Sequence, residues 1–259
     1  MKKRLLIICA AILPLLSCTL LKAEEGFDRY TYRVKFGENI GGTLPIPFPA
    51  EIRKIASFSP IFSPYITVEA TRWFSHRWGV TAGLAFDVKG MKAGADVLYF
   101  NTELLVGDNG KNETFVGAYS GYCLMKPKNI YITLPIMAAY RFNDKWDIGF
   151  GGYFSVLGKG GFAGMVEGGY MRSSPPDSGK PNSLGEKMDI TTATFDFAEE
   201  IQKVDVGIIV NGNYTFWRNF GAFAQFSFGL IPIFPKDFHG VSDYRMTNTY
   251  GCVGLSYKL

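Results

Sequence analysis

The sequence predicts an all-β protein: a membrane-spanning antiparallel up-and-down β-barrel of about eight strands, with short periplasmic turns and four long outer loops. Three observations predict it. Apolar residues alternate with polar or small ones in segment after segment, the connections between segments alternate short and long, and the tryptophans gather at the short connections.

The alternation is clearest from Ile130 to Val156. Ile130, Ile132, Leu134, Ile136, Ala138, Tyr140 and Phe142 share one parity before the turn Asn143-Asp144-Lys145. Trp146, Ile148, Phe150, Gly152, Phe154 and Val156 share one after it. Period two places these rows on one face of a hairpin and the mixed, glycine-rich rows on the other. The pattern recurs at 30–36, 66–74, 80–88, 204–214, 220–228 and 253–259. With the hairpin this makes about eight strands, the smallest usual membrane barrel. A soluble sandwich also alternates, so the connections matter more. Ser75-His76-Arg77, Asn143-Asp144-Lys145 and Trp217-Arg218-Asn219 are short; Gly41 to Ile61, Gly90 to Lys128, Gly158 to Lys203 and Ile231 to Arg245 are long. Short periplasmic turns and longer outer loops are the asymmetry of an outer-membrane barrel. Trp73, Trp78, Trp146 and Trp217 flank the three short turns and read as an interfacial belt, where amphipathic rings favour the membrane–water boundary.

Within the long loops, Met91 to Val106 and Glu113 to Leu124 are β-rich and flank the hairpin signal Gly107-Asp108-Asn109-Gly110. Phe162 to Met171 reads as a prolongation of the fifth strand, and Arg172 to Lys187 as an exposed proline-containing loop.

The first residues have the form of an export signal. Lys2, Lys3 and Arg4 precede an apolar run, and Leu21-Lys22-Ala23 offers cleavage before Glu24, giving a signal over 1–23 and one barrel domain over 24–259. An uncleaved anchor is the bland alternative, and Leu15-Leu16-Ser17-Cys18 is a rival lipoprotein-like site. Four of the 27 Lys and Arg residues and none of the 23 Asp and Glu lie in that segment, so the remainder is balanced in charge. Nothing is left of a nucleic-acid footprint. Cys123 and Cys252 remain, far apart along their strands, so neither a disulfide nor a metal site is expected, and no cofactor.

With the strands placed, Ile132-Thr133-Leu134-Pro135-Ile136 with Tyr140-Arg141-Phe142, Val204-Asp205-Val206-Gly207-Ile208 and Phe226-Ser227-Phe228-Gly229-Leu230 resemble three strands of the PorT-like outer-membrane β-barrel family of Bacteroidota. Gly254 to Leu259 is similar to the terminal signal read by the barrel-assembly machinery, with Leu259 in place of the usual Phe. The resemblance implies an outer-membrane location; its motifs are structural, and no functional residue carries over.

The inward parity holds Arg33, Lys35, Lys89, Arg141 and Lys258 with Glu69, Asp87, Asp147 and Asp205. An eight-strand barrel is just wide enough for side chains to fill, so these residues are expected to form a structural charge network that closes the lumen. The expected role is structural or loop display at the cell surface. The expected partners are outer-membrane lipid, the assembly machinery and an envelope protein met through the long loops. Two alternatives compete. One is a lipid-modifying acyltransferase or hydrolase using His239 with Asp237 and Ser242, although their spacing matches no established motif. The other is a small-solute porin.

Overall fold

The computed structural model describes residues 29–108, 111–173, 187–235, 238 and 245–259. The predicted signal, 1–23, and the catalytic candidates Asp237, His239 and Ser242 lie outside these residues.

Twelve strands run in order: β1 Tyr30–Pro45, β2 Ile52–Pro60, β3 Pro64–Trp73, β4 Trp78–Asp108, β5 Lys111–Arg141, β6 Trp146–Lys159, β7 Phe162–Ser173, β8 Lys187–Asp189, β9 Thr192–Asp196, β10 Val204–Trp217, β11 Phe220–Gly229 and β12 Met246–Lys258. Eight of them close a ring. β1 pairs β3, β3 pairs β4, β4 pairs β5 and β5 pairs β6; β6 pairs β10, β10 pairs β11, β11 pairs β12, and β12 returns to β1. All pairs are antiparallel, and the eight segments are those the alternation predicts. Closure pairs the ring strands on both edges, β1 with β3 as far as Glu38, and so satisfies backbone groups that would cost several kcal/mol unpaired in the bilayer.

The ring is apolar outside and polar inside. Phe36, Leu84, Phe150, Val210, Phe226 and Leu255 are exposed, while Lys35, Glu69, Asp87, Lys89 and Asp205 are buried. The short turns close with side-chain oxygens. Asn143 Oδ1 accepts from the N–H groups of Lys145 and Trp146, each at 2.9 Å, and Ser75 Oγ accepts from Trp78 N–H at 3.0 Å. These fold the backbone back in three or four residues.

The other four strands build a second body on the outer end. β4 and β5 are 31 residues each, against 10 for β3 and β11. A tilted membrane strand needs about 9–11 residues, so most of the excess stands outside the bilayer. There β2 pairs β4, β7 pairs β5, and β8 and β9 pair β7, with β9 touching β4 at Leu105. The segment from Phe162 prolongs the fifth strand, as its sequence suggests. It pairs Pro127 to Gly117 of β5 in the direction and register that β6 keeps with Arg141 to Ile130, and only Gly160-Gly161 lies between the two.

The inward row of β4 changes character as it leaves the ring. Asp87 and Lys89 are followed, at the same parity, by Met91, Ala95 and Val97, all buried. A bulge between Val97 and Phe100 then moves the buried row to Phe100, Thr102 and Leu104. Tyr99 supplies the extra residue, at φ 56° with its N–H donated to Ser120 Oγ. The core of the outer lobe is made of Phe100, Leu104, Tyr119, Cys123, Phe162, Val166, Phe195 and Phe197, packed against Ile233, Phe234 and Met246 on the rim of the ring. Phe162, Phe195, Phe197, Phe234 and Phe238 contact one another at centroid distances of 4.8–6.5 Å.

Candidate functional site: a filled lumen beneath an outer lobe

The lumen holds its charges in pairs contributed by strands distant in sequence. Nearest the short turns, Arg33 on β1 makes a two-pronged contact with Asp147 on β6, at 3.2 and 2.8 Å. Asn213 on β10 donates to the same carboxylate at 2.6 Å. Farther along β1, Lys35 Nζ lies 2.6 Å from Glu69 Oε2 and 5.2 Å from the centre of the Phe223 ring. Toward the outer end, Lys89 Nζ sits 3.0 Å from Asp205 and 3.7 Å from Asp87. The Tyr131 and Tyr153 rings flank its ammonium at 5.1 and 4.6 Å. Asp205 Oδ2 also accepts from Asn248 and the Tyr153 hydroxyl, and Asp87 accepts from Asn39 and Thr133.

Burial of an ion in a low-dielectric interior costs several kcal/mol, which a close partner and further hydrogen bonds offset. The ring's registry brings each cation to a carboxylate. Local sequence does not: Arg33 and Asp147 are 114 positions apart, Lys89 and Asp205 116. Between the pairs, Tyr65, Tyr131, Tyr250 and Ile209 are fully buried and occupy the remaining space.

Two predicted members sit differently. Arg141 is half-buried near the short turns, its guanidinium 3.9 Å from the Trp73 ring and within 3.4 Å of Thr31 Oγ1. Lys258 is half-buried at the same end, with no salt bridge among the described residues. The aromatic belt needs one correction. Trp78, Trp146 and Trp217 are exposed, but Trp73 is 3% exposed and points into the lumen, where its Nε1–H donates to Thr31 Oγ1 at 3.0 Å. Its parity is that of Glu69 and Thr71, and a strand has only two faces. Trp73 closes the periplasmic end of the lumen together with Arg141.

The outer lobe carries the feature the sequence did not disclose, an apolar cavity of about 80 Å³ between the top of β1, β2 and the lobe core. Its polar side chains are engaged elsewhere: Thr43 donates to Asn248 at 2.9 Å, and the Tyr119 hydroxyl to the carbonyls of Tyr122 and Gly168. Burial pushes the Tyr119 hydroxyl and the Cys123 thiol each up to about 12. Cys123 and Cys252 are both free thiols. Among the described residues, no group of three His, Cys, Asp or Glu is placed to hold a metal ion.

Solved structures similar to the chain include Ail, the attachment invasion locus protein of Yersinia pestis. It was determined alone (10% identity, 89% of this chain and 97% of that one, TM-score 0.33) and in complex with the heparin analogue sucrose octasulfate (same identity and coverage, TM-score 0.34). A bacterial polysaccharide outer membrane secretin is also similar, at 10% identity over 90% of this chain and 100% of that one, with a TM-score of 0.19. No curated protein matches. Structural scores this low leave kinship to the sequence. There, residues 24–235 match the outer membrane protein beta-barrel domain family. Most of the chain thus carries that family's pattern, its strands close the ring the pattern requires, and the protein belongs to the outer membrane protein beta-barrel domain family.

Proposed function

We propose that this outer-membrane barrel is non-conducting and presents its outer β-lobe to an envelope or extracellular protein. The observation that carries the reading is the pairing of two opposite interiors on the same strands. Inside the ring, Arg33–Asp147, Lys35–Glu69 and Lys89 with Asp87 and Asp205 fill the lumen. Above it, β4 and β5 continue into a body with its own apolar core. A pore has no use for such a plug, and a bare anchor has no use for such a lobe. The strand motifs at 132–142, 204–208 and 226–230 further support a place among PorT-like barrels.

Two measurements test this. The purified protein in planar bilayers is expected to give no steady conductance; stepwise openings of constant size would refute the sealed lumen. A photocrosslinking amino acid at Glu167, exposed on the lobe, is expected to trap a protein partner on intact cells, whereas one at Lys145, in a short turn, is not. Absence of adducts from every exposed lobe position would refute display.

A further inference from the structure

The wall of the barrel is split at its outer end. On one side β1 pairs β12 without interruption up to Pro45. On the other its register with β3 stops at Glu38–Pro64, followed by one more bond, from Asn39 N–H to the Ser63 carbonyl at 2.9 Å. Above that point, no strand pairs this edge of β1 among the described residues. There β2 stacks above β3 along β4, from Pro60–Met91 to Ile52–Val97, without pairing β1 among the described residues. Pro45, Pro47, Pro49, Pro60 and Pro64 bound the gap, and proline cannot donate to a ladder. Two unpaired strand edges therefore face one another across a seam.

The cavity lies behind this seam. Thr43, Leu44 and Pro45 form its β1 side. Ile52, Ile55 and Phe58 form its β2 side, with Ala93 and Ala95 beside them on β4. Three apolar residues at intervals of three do not share a face of a regular strand. Here they do, because register shifts between Ile52 and Lys54 and between Ile55 and Ser57 each insert a residue. The inner end reaches Phe100, Cys123, Phe162 and Phe195 in the lobe core. Of the lining residues, Leu44, Phe48, Ile55 and Phe58 are exposed and form the mouth. Ile40 and Leu44 belong to β1 above Phe36, whose outward row faces lipid. Ile40 and Leu44 thus carry the apolar outward row of the wall up to the seam.

We propose that this cavity binds the terminal segment of one acyl chain, admitted sideways from the outer leaflet. The side chains of the lining are mostly apolar, and the hydroxyls of Thr43 and Tyr119 among them already donate elsewhere. A cavity walled by Leu, Ile, Phe and Met side chains stays dry and takes apolar guests. Its volume of about 80 Å³ corresponds to roughly three waters, and so to about three methylenes of comparable size. The opening through the wall favours a guest already in the membrane over one arriving from water. The site goes beyond the display reading and does not depend on it, since a lobe with no protein partner would still hold the chain.

The test uses the full chain in lipid nanodiscs and palmitic acid carrying a diazirine at its methyl end. After irradiation, adducts are expected on peptides containing Ile55, Phe58, Ala95 and Phe195. Ala93→Phe at the mouth and Ala95→Phe deeper in are expected to cut this labelling at least tenfold while heat-modifiable gel mobility is kept. Should either variant fail to fold, unlabelled fatty acids of increasing length provide a second reading on the native protein. Protection is expected to strengthen about fourfold per methylene, the equivalent of burying one CH₂, until the cavity is full. Adducts confined to outward residues such as Phe86 and Ile132 would overturn the proposal. So would labelling unchanged in both filled variants, or protection that ignores chain length and is matched by a water-soluble naphthalene sulfonate.

Discussion

The ring and the lobe are built on the same two long strands with opposite chemistry. In the ring part of β4, Leu84 and Phe86 face out and Asp87 and Lys89 face in; in the lobe, Lys92 faces out and Met91, Ala95 and Leu104 face in. Apart from the bulge between Val97 and Phe100, the alternation continues through both halves, and what changes is the solvent. Where the surroundings are hydrocarbon, apolar side chains gain nothing by turning inward, and the interior is free to hold polar groups that pair one another. Where the surroundings are water, the hydrophobic effect sends the apolar row inside. The switch falls between Lys89 and Met91 on β4 and between Lys128 and Ile130 on the outer row of β5.

The comparison can be broken at several points. The largest effect is expected in the lumen. Lys89→Met leaves Asp87 and Asp205 facing each other without their cation, and loss of one partner of a buried pair costs about 3–5 kcal/mol. Urea unfolding of the purified barrel in detergent is expected to show that loss, and an unchanged midpoint would mean the lumen is wet enough to solvate both carboxylates. In the lobe, the comparable injury is a void. Leu104→Ala, at a fully buried site, is expected to cost about 2–5 kcal/mol. It should loosen only the outer body, so limited proteolysis should cut the lobe while the ring keeps its heat-modifiable mobility. On the lipid face, Phe150→Arg is expected to cost about 2–4 kcal/mol if the site lies near the bilayer midplane. Replacing outward Lys126 or Lys128 by Arg should cost nothing measurable in the same unfolding assay. The smallest effect is chemical. With its thiol pushed up to about 12 by burial, Cys123 is on the order of one part in ten thousand thiolate at pH 8. Maleimide labelling of the folded protein at that pH should therefore be far slower than after denaturation.

The eight ring strands were legible because lipid on one side and a filled lumen on the other impose strict alternation, and the short turns fixed their order. The identities of the inward charges were legible for the same reason. Their pairing was not: which carboxylate meets Lys89 depends on the stagger of strands around the whole ring, which no local pattern encodes. Trp73 departs from the belt because its parity, shared with buried Glu69 and Thr71, decides its face whatever its nearness to a short turn. β2 escaped notice because its two bulges replace alternation with the spacing Ile52, Ile55, Phe58. β7 is legible as a continuation of β6 because both sides of Gly160-Gly161 favour strand, and both segments pair β5 in one register. The cavity required β1, β2, β4 and the lobe to meet, a long-range fact that no segment carries alone.

Spin-label accessibility scanned along β4 tests the central claim most directly. In nanodiscs, labels at Leu84 and Phe86 should collide with dissolved oxygen and be shielded from a water-soluble nickel chelate. Labels at Lys92 and Asp96 should show the reverse, and labels at Ala85 and Ala95 should be shielded from both. If Leu84 and Phe86 instead met the nickel chelate, or if Ala85 proved the oxygen-exposed position, the ring would not be the lipid-facing cylinder described here.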